Sequence, residues 1–102
     1  MKTETIYLSK QAIAFRDDAK AIEKQVKKFT EKTSLVNLDF KEVKFISRSF
    51  ADELISSAER LSKSGISLKF TNIPPNVKKM LTLVQATRNN ILNQAGTFNM
   101  MP

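Results

Sequence analysis

The stretch Leu38-Asp39-Phe40-Lys41-Glu42-Val43-Lys44-Phe45-Ile46-Ser47-Arg48-Ser49-Phe50-Ala51-Asp52-Glu53-Leu54 decides how this chain folds. Its first residues close the β-rich run Ser34-Leu35-Val36-Asn37-Leu38-Asp39-Phe40, the pattern of a mostly buried strand. Val43–Ile46 forms a second, shorter apolar piece, an extended edge or the rim of the sheet. Polar Ser47-Arg48-Ser49 follows, and from Ser49 the chain reads as helix to Ser64. Phe50, Leu54, Ala58 and Leu61 recur there on one face, widened by Ala51 and Ile55.

Downstream, Ser64-Gly65 supplies a helix stop. Ile66–Thr71 alternates Ile66, Leu68 and Phe70 with Ser67, Lys69 and Thr71, a strand pattern. Asn72-Ile73-Pro74-Pro75 breaks it, and Val77, Met80, Leu81 and Val84 continue at helical spacing, predicting a third helix over about 75–90. Upstream, Thr3–Leu8 is dominated by β-formers. Ser9 sits where an N-cap belongs, ahead of Ala12, Phe15, Ala19, Ile22, Val26 and Phe29, a stripe that predicts a helix over 10–31. The order β-α-β-(β)-α-β-α predicts an α/β fold: a small, mostly parallel sheet of 3–4 strands with right-handed crossovers and about three helices packed on its faces. There is no internal repeat and no Pro/Gly-rich linker. One domain is therefore expected over 1–95, with a flexible tail at 96–102 where periodicity stops.

A length of 102 residues suits one domain, and 41% hydrophobic with 26% charged residues suits a folded one. The chain has no His and no Cys, which removes imidazole-based nucleophile pairs, thiolate chemistry, disulfides and zinc–thiolate sites. No catalytic constellation, metal site or cofactor is expected. Without an apolar run long enough for a leader or a bilayer span, the expected location is cytoplasmic, with no membrane contact.

The net charge of +7 is unevenly placed. Residues 1–8 are neutral, 9–32 carry +3, 33–72 carry +1 and 73–102 carry +3. Lys20, Lys24, Lys27 and Lys28 fall off the apolar stripe of the first helix, and Lys78 and Lys79 lie on the third. They are candidates for phosphate-backbone contacts. They also have the pattern of a solvated helix face, and no aromatic residues are interleaved with them for base stacking. Glu23 and Lys27 have the spacing of a helical ion pair.

The start of the second helix is the strongest candidate site. Its unpaired N–H groups and partial positive charge suit an anion or a phosphorylated hydroxyl. Ser49-x-x-Asp52 also has capping-box-like spacing, so Ser49 has a purely structural reading as well. Asp52 and Glu53 read as first-turn acids complementing the dipole, since adjacent helical residues diverge too far to form a carboxylate pair. Asp39 suits the turn amides that follow it.

Asp39-Phe40…Val43…Phe45-Ile46-Ser47-x-Ser49-Phe50-Ala51-Asp52-Glu53-Leu54 resembles the signature of small STAS-like domains, which are similar to the anti-sigma-factor-antagonist and sulfate-transporter (STAS) domains. The resemblance spans roughly residues 13–85, including Phe15-Arg16 and Ala19 of the first helix. It implies a non-enzymatic module that docks onto an ATPase-like Ser/Thr kinase or a similar switch protein and is switched by phosphorylation of a serine at this helix start. The antagonist loop reads Asp-Ser-Ser-Gly. Ser49 takes the acceptor place, with Ser47, Arg48 and Phe50 where that loop has Asp, Ser and Gly. Arg48 and Ser49 are then expected to give polar specificity, Phe50 an anchor if not fully buried, and Ser47, Asp52 and Glu53 the surround. The two functional expectations are a regulatory protein-interaction module and, alternatively, a basic nucleic-acid binder.

Overall fold

Val36, Leu38 and Phe40 alternate along and just beyond a strand at Thr33–Asp39, and all three are fully buried. That strand, β3, lies at the centre of the fold. A computed structural model describes residues 2–29, 33–92 and 99–100. In chain order the elements are β1 (Lys2–Tyr7), β2 (Ala12–Ile13), α1 (Arg16–Lys27), β3, β4 (Phe45–Ile46), α2 (Arg48–Lys63), β5 (Ser67–Thr71), α3 (Pro75–Leu92) and β6 (Asn99–Met100).

The main sheet has the order β1-β3-β5-β6, with every neighbouring pair parallel. Tyr7, Asp39 and Thr71 lie in one row across it, as do Thr5, Asn37 and Lys69. The intervening positions carry Ile6, Leu8, Val36, Leu38, Leu68 and Phe70, which are buried under the helices. Phe40 and Phe70 meet edge to face at 5.5 Å. Since β1, β3 and β5 succeed one another in the same direction, right-handed crossovers bring their helices to one side. The three expected helices therefore pack on one face of the sheet. Among the described residues the other face presents Thr3, Thr5, Tyr7, Leu35, Asn37, Asp39, Ser67, Lys69 and Thr71, and this mainly polar face takes the place of a second helical layer.

β4 does not join this sheet. It pairs with β2 in a separate two-stranded parallel ribbon, Ala12 beside Phe45 and Ile13 beside Ile46. The ribbon displaces the start of the first helix: Ser9 is not its cap, Ala12 lies in a strand, and α1 begins only at Arg16, with Phe15 as an N-cap that makes no side-chain bond. Ala19, Ile22 and Val26 remain on the buried stripe, and Phe29 packs against the core from beyond the helix end. At the end of α2, Gly65 has φ +90, and the bonds Gly65 N–H to Ser62 O (3.0 Å) and Ile66 N–H to Leu61 O (2.9 Å) complete a Schellman motif. Where a tail without structure was expected, Asn99–Met100 add a fourth strand to the sheet. Residues 96–98 and 101–102 lie outside the described residues.

Candidate functional site

The β2–β4 ribbon launches two helices from one place. Ser47 N–H donates to Ile13 O (3.0 Å), and the Ser47 hydroxyl donates to Ala14 O at 2.6 Å. The same oxygen accepts the Phe50 N–H at 3.0 Å, so Ser47 is the N-cap of α2. This corrects the capping assignment of Ser49. The cap lies two residues earlier because Ile46, buried opposite Ile13, is the last extended residue that the core requires. Ser49 is left in the first turn with its side chain exposed, next to exposed Arg48.

Phe50 is fully buried, so it is a core residue and not a docking anchor. Two other phenylalanines are open: Phe15 is 72% exposed and Phe45 52% exposed. Both flank the same junction, Phe15 following Ala14 and Phe45 two residues before the Ser47 cap. Sequence periodicity assigned Phe15 to the core stripe because its spacing fits a helix that in fact starts later. Asp17-Asp18, a pair of first-turn acids, was the available signal for a start at Arg16.

Asp52 and Glu53 do not serve the α2 dipole, as the first turn of α2 contains no acid. Both reach Arg16 at the start of α1, at 3.5 and 3.2 Å to one guanidinium nitrogen. They belong to an ionic seam between α1 and α2. Glu23, nearly buried, accepts two bonds from Arg60, Nη2 at 2.7 Å and Nε at 3.2 Å. It also accepts the Ser57 hydroxyl at 2.9 Å and pairs with Lys27 at 3.3 Å, the helical ion pair read from the sequence. Arg60 Nη2 also reaches Glu53 at 2.8 Å. The Arg60 bonds outweigh burial and, with Ser57 and Lys27, hold Glu23 at about 2. Burial pushes Glu53 up, yet the bonds from Arg60 and Arg16 leave it net lowered. Glu23 and then Glu53 raise the Arg60 guanidinium in turn.

Asp39 binds the turn that follows it, accepting Lys41 N–H at 2.8 Å, and it receives the Asn72 side-chain amide at 3.1 Å. Asn72 holds φ +52, a conformation that Asn tolerates better than most residues.

Lys20, Lys24 and Lys27 are exposed on α1, Lys28 at its C-cap, and Lys78 and Lys79 on α3. The two groups do not form one basic face. α2 packs against both α1 and α3 and carries the partly exposed acids Asp52, Glu53 and Glu59. Lys27 is already paired with Glu23, and Glu53 lies in the field of Lys20. Among the described residues no cluster of three or more His, Cys, Asp or Glu could hold a metal ion, and no helix is long and apolar enough to cross a membrane.

No curated protein and no solved structure matches the chain. A family model for the STAS domain matches residues 12–99, from the first residue of the ribbon to the last sheet strand. The match covers the β2–β4 ribbon, β3, β5, all three helices and the capped helix start and leaves out β1, and STAS domains in general are non-enzymatic binding domains with regulatory or protein-interaction roles. The chain belongs to the STAS domain family.

Proposed function

We propose that this STAS domain is a cytoplasmic regulatory module that docks a protein partner on the rim where β2 and β4 hand over to α1 and α2. The observation that carries the reading is the pair of open phenylalanines, Phe15 and Phe45, beside exposed Arg48 and Ser49, whereas the other phenylalanines among the described residues are buried or packed against the core. Aromatic residues and Arg dominate the energetics of protein interfaces, which supports a docking role for this rim. The partner class, an ATPase-like Ser/Thr kinase or a comparable switch protein, follows from the family resemblance at Ser47–Leu54.

Ser49 is the candidate for a switch by phosphorylation. Ser47 already caps the helix, so the Ser49 hydroxyl is not needed for that bond. A phosphate there would meet the first-turn N–H groups and Arg48, which favour it, and Asp52 one turn on, which opposes it. Added charge beside Phe15 and Phe45 would also disfavour apolar docking. Nucleic-acid binding by the lysines is the weaker reading, because α2 interposes acids between the two basic groups. It predicts binding that falls steeply with salt.

The test is capture of partners from the native cell with wild type, Arg48→Glu, Ser49→Asp and Phe45→Ser, together with an intact-mass check for one phosphate. Loss of the same partner in all three variants is expected. Retention of that partner by all three overturns the assignment of this rim.

A further inference from the structure

We infer that the free edge of β1 is a self-association surface, on which a second copy of this chain adds its own β1 antiparallel to extend the sheet. The ladder itself identifies the exposed groups. Leu8 N–H donates to Asp39 O at 3.1 Å, and Tyr7 stands beside Asp39. In a parallel ladder this phase turns the main-chain groups of Ile6 and Leu8 toward β3 and those of Thr5 and Tyr7 outward. Among the described residues no strand pairs with that outer side.

Several features leave this edge open. From Thr3 to Tyr7 it contains no proline and no register shift, the one irregularity lying between Lys2 and Thr3. Edge strands are normally blunted by such features, or by charge. Of these the strand carries charge alone, Lys2 and Glu4, and the two sum to zero. A groove of about 440 Å³ runs beside the strand, with Ile6, Leu8 and Ile22 among its lining and Gln25 of α1 along it. Lys10 and Asp18 also line it and neutralise each other at 3.2 Å. An incoming strand would find hydrogen-bonding groups on one side and a groove of mixed polar and apolar lining on the other. Tyr7, 74% exposed, stands at the end of the same edge.

Charge identifies the occupant. Two copies of a chain at +7 repel wherever their basic segments meet, and residues 1–8 are the neutral segment. One edge repeated by a two-fold axis pairs with itself and closes, so association stops at two chains. A seam of one strand flanked by α1 is small, which places the dissociation constant at about micromolar or weaker.

Sedimentation equilibrium up to about 1 mM tests this, with amide exchange read on the same samples. Wild type is expected to move from one chain to two, with the Thr5 and Tyr7 amides gaining protection as it does. Thr5→Pro deletes an N–H that has no ladder partner among the described residues, so dilute protein should keep its melting temperature while dimerisation weakens at least about tenfold. If proline disturbs the strand, Thr5→Lys makes the test with like charges beside the seam, and Thr5→Val, a β-former, should dimerise as wild type does. The proposal is overturned if wild type stays one chain, which leaves the edge to an extended segment of another protein. It is equally overturned if the dimer forms without protecting Thr5 and Tyr7, or if Thr5→Pro and Thr5→Lys dimerise unchanged.

Discussion

Two regions of the α1–α2 pair lie about two to three helical turns apart along α2 and follow opposite rules. In the seam, carboxylates point inward and are satisfied by half-exposed cations: Glu23 is nearly buried and receives Arg60, Ser57 and Lys27. On the rim, apolar residues point outward: Phe15 and Phe45 are open to solvent beside Arg48 and Ser49. A buried charge needs partners at hand, because an unpaired one would cost several kcal/mol. Exposed phenylalanines give the fold little and suit a surface that binds. The contrast gives the seam a structural role and supports the docking proposed for the rim, although composition alone would have suggested the reverse.

The largest expected effect comes from breaking the seam. Arg60→Ala leaves the Glu23 carboxylate with Ser57 and Lys27 only, and should lower stability in urea unfolding by about 3 kcal/mol. An unchanged midpoint would show that the seam is not structural. Acid acts on the same group. Glu23 is held near 2 when folded and titrates near its ordinary 4.5 when unfolded, so its contribution is present above 4.5 and disappears as pH falls toward 2. That contribution is on the order of 3 kcal/mol. Glu23→Gln should flatten the stability profile between those pH values, and a profile that keeps its slope would place the acid sensitivity elsewhere.

Comparing the two serines sharpens the boundary between the regions. Ser47→Ala loses both the Phe50 cap and the bond to Ala14, and should lower stability by about 1–2 kcal/mol. Ser49→Ala should change it by less than about 0.5 kcal/mol. Equal losses would mean that Ser49 contributes to the cap after all. The smallest effect on stability is expected at Phe15→Ser with Phe45→Ser, within about 0.5 kcal/mol by thermal unfolding, even though partner capture is lost. A large destabilisation would return these rings to the core.

Much of the architecture was legible because it rests on short-range periodicity. The alternation in Ile66–Thr71 and the apolar stripe of α2 each report one buried face, and Gly65 stops α2 because it accommodates φ +90. The start of α1 was not legible. Ala12-Ile13-Ala14 fits a helix stripe or a strand equally well, and only pairing with Phe45-Ile46, more than thirty residues away, makes it a strand. The displaced cap at Ser47 has the same origin, since the bond to Ala14 exists only once the ribbon has formed.

The sequence by itself determined the α/β order, the buried faces of α2, β3 and β5 and the neutrality of the first eight residues, because each depends on residues close along the chain. Only the tertiary structure decided which serine caps α2, which phenylalanines remain outside, how Arg60 joins Glu23 to Glu53 and which face of the sheet stays bare. Those outcomes depend on contacts between distant segments, and a linear pattern of apolar residues carries no information about which distant segment will arrive.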